Sequence, residues 1–289
     1  MINTLVRHAD ISDHQQLSNL IFYETRLHRH LDWRTPLDWL GDPFFWALEE
    51  GGRITAALAC PFETEQVAWI RLFIHAAAWN AGNAWDLLWH TASEDISRAR
   101  GANGAIVGAI VMQPWFQSVL SASGFENRQG IVMLEWRGFA SQPWGKMEVD
   151  GIRVRRMNEA DLPAVIQTDA ASFEPLWHNP LPTLHNAFAQ TLIGTVAEGD
   201  GGIMGYQLTT GHGQRAHLAR LAVHPRLQGR GIGRLLLTDL LARLSRHGIG
   251  RLSVNTQSDN LASLRLYERM WFVRTGEHFP VYTLSVPGF

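Results

Sequence analysis

The strongest constraint on this 289-residue chain is that it repeats itself once, at an offset close to 148 residues. LVRHADISDHQQLSNLI from Leu5 matches RVRRMNEADLPAVIQTD from Arg153, with Val6 opposite Val154. IRLFIHA around Arg71 matches ARLAVHP around Arg220, and Gly124-Phe125 falls opposite Trp271-Phe272. Each copy alternates strand-like and helix-like periodicities and closes on an apolar strand, GIVMLEW in the first and FPVYTLSV in the second. That order predicts a mixed α/β sheet in each copy. The segment RGFASQPWGKMEVDG, punctuated by Pro143, Gly145 and Gly151, predicts a boundary and hence domains over 1–140 and 150–289.

At 46% hydrophobic the chain can build two real cores. Its net charge of −2 gives no general attraction for nucleic acid or an anionic membrane. The charge is divided unevenly: residues 1–150 hold 11 Lys+Arg against 17 Asp+Glu, and 151–289 hold 14 against 10. An anionic ligand therefore favours the second copy. Cys60, the one cysteine, excludes an internal disulfide and a multi-cysteine metal cluster, and no histidine pair at i, i+4 stands beside a carboxylate, so no metal is expected. No run of 18 apolar residues and no basic-then-apolar start occurs, which predicts a soluble cytoplasmic protein. Ten of the twelve tryptophans precede residue 150; they read as core packing or, alternatively, as walls of an apolar or cationic acceptor site.

The densest motif is LQGRGIGRLLLTDLLARL, which starts at Leu227. His217 to Val223 alternate as a strand, Pro225 ends it, and Leu236, Leu237, Leu240, Leu241 and Leu244 make one face of a helix closed by Gly248. Gly229, Gly231 and Gly233 thus occupy a strand-to-helix turn, where glycine permits positive φ and lets backbone N–H groups converge on an oxyanion. The helix start adds about half a positive charge. Arg226, Arg230 and Arg234 flank the turn and can pair with phosphate oxygens. The competing reading makes the glycines packing residues and the arginines a solvated face. Neither the Walker loop nor G-x-G-x-x-G fits the spacing.

What fits is Gln228-x-x-Gly231-x-Gly233 after a strand, and downstream LSVNTQSDNLASLRLYERMWFV, with Asn260 and Ser263 opening a helix that carries Tyr267 and is followed by Phe272. The pair resembles the signatures of the GNAT superfamily of N-acetyltransferases, closely over 151–289 and as a diverged copy before that. The resemblance implies two tandem GNAT-fold acyl-CoA N-acyltransferase domains, an arrangement similar to the mycothiol synthases. It implies acetyl-CoA as acyl donor, its pyrophosphate held by the amides of Gln228, Gly229, Arg230, Gly231, Ile232 and Gly233, with Arg226, Arg234, Asn260 and Ser263 in the same cofactor site. Leu221 and Val223 would pair with the pantetheine arm, and Tyr267 would protonate the leaving thiolate. The base is left open: His217 stands about where many members carry a glutamate, and is equally read as a polar strand residue, while Glu174, His178 and His185 lie in the region that covers the acceptor. His224 belongs to the turn. Cys60 reads as a buried thiol rather than a nucleophile.

Aligned on the repeat, the first copy has Trp79, Gly82 and Ala84 opposite Gln228, Gly231 and Gly233, and Leu120 opposite Tyr267. The expectation is a second copy that transfers an acetyl group to a primary amine of a small molecule or peptide N-terminus, in a monomer or homodimer, and a first copy that does not. A mycothiol-synthase-like acceptor and an inactive acyl-CoA sensor or scaffold are the alternatives; the intact Tyr267 and glycine motif argue against the last.

Overall fold

The computed structural model describes residues 4–24, 26–30, 32–138 and 147–288. The chain forms two compact units, residues 1–129 with 279–289 (unit 1) and residues 130–278 (unit 2).

In unit 1, β1 (Thr4–His8) leads to α1 (His14–Tyr23), β2 (Leu27–Arg29), β3 (Phe45–Glu50), β4 (Arg53–Ala59), β5 (Val67–Trp69), β6 (Leu72–His75), α2 (Ala81–Arg100), β7 (Ala105–Ile110) and α3 (Pro114–Ala122). The strands run β1-β3-β4-β6-β2, all antiparallel, while β5 pairs parallel with β7. Trp46, Phe73, Trp85 and Phe116 are fully buried at the centre, with Trp85 and Phe73 edge to face at 5.1 Å. Packing is thus the work of these tryptophans.

Unit 2 takes residues 130–137 of β8 (Glu126–Arg137), then β9 (Arg153–Arg156), α4 (Leu162–Ser172), α5 (Leu181–Ala189), β10 (Ile193–Gly199), β11 (Gly202–His212), β12 (Arg215–Val223), α6 (Ile232–Arg246), β13 (Arg251–Gln257), α7 (Leu261–Arg269) and the start of β14 (Val273–Val286). Its strands run β8-β13-β12-β11-β10-β9, parallel only at β12-β13. The leucine face of α6 packs on Leu218, Leu252 and Val254, as the i, i+3, i+4 spacing requires.

The repeat is written into side chains as well as strands. Arg7 grips Asp13 at 2.7 and 2.8 Å and Glu49 at 2.8 Å; 148 or 149 residues later Arg155 grips Asp161 at 2.7 and 2.8 Å and Glu198 at 2.9 Å. In both copies the aspartate also caps the backbone N–H three residues before it, at Asp10 and Asn158.

The closing strands are exchanged. β8, which ends the first repeat, pairs with β13 from Ile131↔Gln257 to Arg137↔Arg251, and the end of β14 pairs with β7 from Val281↔Ile110 to Val286↔Ala105. The units accordingly divide at 129/130 and 278/279, whereas the sequence suggested a cut between 140 and 150. Alternation identifies a strand but not its partner, and two copies of one sheet offer each closing strand two equivalent edges. Much of the expected linker, 139–146, lies outside the described residues.

Candidate active site

β12 is the strand on which the site is built. It stays paired with β11 as far as Val223↔Gly205, but its parallel pairing with β13 stops at Leu218↔Val254. Beyond that point residues 219–223 pair with no strand on the β13 side among the described residues, and a wedge opens between the two strands. A bulge precedes it: the β11 register passes from Thr209↔Leu218 to Leu208↔Arg220 and skips Ala219. The extra residue changes which side chains face α6. Ala216 and Leu218 do so before it, and Leu221 and Val223 pack on Ile232 and Leu236 after it. His217 and Arg220 are left on the opposite face.

At the wide end of the wedge the chain turns. Leu227 and Gln228 close a single 3-10 turn on His224 and Pro225, so the N–H of Gln228 is already engaged, and its Nε2 donates to the carbonyl of Val223 at 3.0 Å. Val223 O also accepts from Ser172 Oγ at 3.1 Å. His224 Nδ1 accepts from the Arg226 N–H at 3.3 Å, which makes it part of the turn. Gly229 (φ +76°) and Gly231 (φ +85°) are left-handed, and Gly231 is the N-cap of α6 with no side chain capping the helix. The first helical bond is Leu235 N–H to Gly231 O, so the amides of 229–234 have no acceptor among the described residues. Such a row of donors at the positive end of a 15-residue helix suits an anion. Arg226, Arg230 and Arg234 are exposed, and their guanidinium groups have no partner among the described residues.

Asn260 Oδ1 caps α7 by accepting from the Ser263 N–H at 3.1 Å. Tyr267, one turn further on, is 4% exposed and packs on Phe272 with ring centroids 5.4 Å apart. Its hydroxyl has no partner among the described residues, and burial pushes the phenol above its ordinary pKa. His217 sits in the closed part of the strand pair, opposite Ser253, with Nδ1 2.9 Å from Ser253 Oγ, and burial lowers its pKa. The other candidate bases are otherwise occupied. His178 Nε2 donates to Phe173 O at 2.9 Å, and exposed His185 meets Glu159 at 3.1 Å. Cys60 is buried and its thiol pKa is pushed up by desolvation, so it carries no thiolate. Among the described residues no cluster of three His, Cys, Asp or Glu groups could hold a metal ion.

One constellation escaped the sequence. Asp169 on α4, wholly buried, accepts from the Tyr206 hydroxyl and from Arg220 Nε and Nη2 at 2.7 and 2.9 Å, and from the Asn179 N–H at 3.0 Å. Arg220 also donates to Trp177 O at 2.6 Å and lies 3.5 Å over the Phe173 ring. Desolvation opposes the Arg220 charge, but Asp169 and Tyr206 more than offset it, so the guanidinium stays protonated; burial raises the Tyr206 phenol. The cluster pins the 173–179 loop to the face of β12 that carries His217.

Unit 1 handles the equivalent strand differently. Leu72 and Ile74 occupy the places of Leu221 and Val223, but β2 pairs with them as Arg29↔Leu72 and Leu27↔Ile74, and His30 N–H bonds Arg71 O at 3.0 Å. The start of α2 is capped as well, by Asn80 Oδ1 accepting from Gly82 and Asn83 at 2.9 and 3.4 Å. A stretch of the chain itself fills the edge that unit 2 leaves open.

Residues 161–272 match the model of the acetyltransferase (GNAT) family. Among solved structures, a GCN5-related N-acetyltransferase from Sphaerobacter thermophilus is similar over 99% of this chain and 97% of its own, with TM-score 0.66 at 16% identity. A tandem GNAT protein from the clavulanic acid biosynthesis pathway, in its form without acetyl-CoA, is similar over the full length of both chains, with TM-score 0.65 at 15% identity. A GCN5-related N-acetyltransferase from Kribbella flavida covers 98% of this chain and 71% of its own, with TM-score 0.66 at 12% identity. At these identities the likeness is one of fold, and it extends over both repeats.

Proposed function

We propose that unit 2, whose residues 161–272 match the model of the acetyltransferase (GNAT) family, transfers an acetyl group from acetyl-CoA directly to a primary amine of a small molecule or a peptide N-terminus. The observation that carries the reading is the wedge between β12 and β13 running into an uncapped helix start, a slot for an extended chain that ends in an anion. The free amides of 229–234 hold the pyrophosphate, Arg226, Arg230 and Arg234 supply cations around it, and the strand edge at Leu221 with the N–H of Val223, whose carbonyl is taken by Gln228 and Ser172, receives the arm. Acetyl-CoA brings an activated thioester, which the amine attacks without an acyl-enzyme. His217, held unprotonated at neutral pH by its burial, accepts the proton that the ammonium must lose, directly or through water. Tyr267 keeps its proton across the working pH range and gives it to the departing thiolate. Unit 1, with β2 across the matching edge and Asn80 over the helix start, takes no acyl donor.

Calorimetric titration of acetyl-CoA is the test, with one site per chain expected. Gly229→Asp is the informative variant, because nothing lies within 4 Å of the added Cβ and aspartate tolerates a left-handed backbone, while its carboxylate competes for the free amides. Affinity should fall at least 100-fold with the melting temperature nearly unchanged. Two sites would overturn the exclusion of unit 1 as a donor site, and unaltered affinity would remove the pyrophosphate from this turn. Tyr267→Phe should then lower kcat for thiol release with any amine the enzyme accepts, leaving acetyl-CoA affinity intact.

A further inference from the structure

We propose that Asp169 is a positioning residue for the acceptor: through Arg220 it fixes the 173–179 loop as the wall against which the amine is held beside the thioester. This role rests on the transferase reading of unit 2 and extends it to the side of the site that the donor does not fill. α6 covers one face of β12, so an amine reaches the wedge from the other, the face that carries His217 and Arg220. Arg220 lies within the stretch 219–223, where pairing with β13 has stopped, so whatever Arg220 holds stands at the open slot. What it holds is the loop between α4 and α5.

Three contacts make the grip. Asp169 Oδ1 accepts from the Asn179 N–H at 3.0 Å, Arg220 Nη2 donates to Trp177 O at 2.6 Å, and the guanidinium lies 3.5 Å over the Phe173 ring. Asp169 holds Arg220 in place with bonds of 2.7 and 2.9 Å and is itself held by the Tyr206 hydroxyl. The planar fork lets one arginine face a carboxylate, a carbonyl and a ring at once. The fold does not require this cluster. On the repeat, Ile21 stands opposite Asp169, by the offset that matches Asp13 with Asp161, and Ala57 stands opposite Tyr206, by the offset that matches Glu49 with Glu198. Both lie in one apolar cluster, and with it unit 1 packs α1 on β4 as unit 2 packs α4 on β11. Burying a charge pair where apolar residues serve as well adds little to stability; what it adds is a fixed geometry. The unit whose strand edge stays open has the charged cluster, and the unit whose edge β2 closes has the apolar one.

The test compares the full chain with a variant carrying Asp169→Leu, Tyr206→Phe and Arg220→Leu, which removes both charges and the hydroxyl together and so leaves no unpaired buried charge. Arg220→Lys, which keeps the charge opposite Asp169 without the planar fork, carries the same criterion should the triple variant not fold. Thiol release from acetyl-CoA is followed with 2-phenylethylamine, D-glucosamine and the dipeptide Ala-Phe, and acetyl-CoA affinity is measured by calorimetry without amine. With the best of these amines, KM for the amine should rise at least about fivefold, while kcat and acetyl-CoA affinity stay within about twofold of the wild type. In hydrogen exchange the amides of Trp177 and Asn179 should lose protection while those of β11 keep it. A smaller rise in KM, or a loop that stays protected, would overturn the proposal. So would parallel losses in amine and acetyl-CoA binding, the mark of a cluster that serves only the fold. A wild type that binds acetyl-CoA but releases thiol with none of the three amines would instead count against the primary-amine assignment, and the proposal would fall with it.

Discussion

At Gly229 the backbone is left-handed with open space where a Cβ would stand, whereas at Gly233 the backbone is helical and an added Cβ would lie 3.2 Å from Leu266 Cδ2. The same residue type thus serves a free loop in one place and close packing in the other, and only Gly229 and Gly231 need positive φ. Sequence spacing exposes all three because the turn is local. It does not expose Asp169, whose partners Tyr206 and Arg220 lie 37 and 51 residues away and read separately as ordinary strand residues. One signal was there to use: Asp169 follows Val165 by one helical turn, which puts a carboxylate on the buried stripe of α4. Its energetics follow from burial. Asp169→Asn keeps the volume but leaves Arg220 charged and unpaired in the interior, which costs about 3 to 5 kcal/mol. Urea denaturation of the variant should show that loss. A change below 1 kcal/mol would mean that solvent reaches Arg220 in the folded protein.

Between elements, the difference between the two copies comes down to one short strand. β2 is three residues long and lies in a stretch, LHRHLDW, without the alternation of apolar and polar residues that marks a strand, so nothing in the sequence distinguishes it from a loop. What makes it a strand is the unpaired edge of β6, which supplies the hydrogen bonds. Seating it buries two histidines. His28 stacks on Phe116 with ring centroids 4.1 Å apart, and desolvation pushes its pKa down to about 4; His30 is driven well below its ordinary value, also chiefly by burial. In the unfolded chain both bind a proton near pH 6.5. Between pH 6.5 and 4 the unfolded state therefore holds more protons than the native state, and stability must fall as pH falls through this window. His28 alone accounts for up to about 3 kcal/mol of that loss. The expected outcome is that His28→Gln, which retains an N–H donor for Ile70 O, flattens the decline in unfolding free energy between pH 6.5 and 4.5. An unchanged slope would show that His28 takes up its proton equally well in the native state.

For the whole chain, the exchange of closing strands means that neither repeat is complete in its own sequence. The repeat itself, the mixed sheets, the helix after the glycine turn and the second signature were all legible, since each is encoded by neighbours in the chain. The pairing of β8 with β13 and of β14 with β7 was not, because both strands carry the same alternation and would satisfy either edge. That exchange makes a sharp prediction about where stability resides. Ending the chain at His278 removes Val281, Tyr282 and Val286, all buried, together with the Pro287 carbonyl that accepts from Ser97 Oγ, and bares the edge of β7. At roughly 1.5 to 3 kcal/mol for each large apolar side chain, the loss is of the order of the whole stability of a domain this size. Unit 1 should then unfold although no residue of its first 129 has changed. The emission of its buried Trp46, Trp69 and Trp85 should shift to the red, and amides of β3 and β4 should lose protection from hydrogen exchange. Unit 2 keeps β8 on β13 and every residue of the β12 wedge, so amides of β11 and α6 should stay protected and acetyl-CoA should still bind. If β3 and β4 keep full protection in the truncated chain, β14 is dispensable to unit 1; if α6 loses protection as well, the two units unfold as one cooperative body.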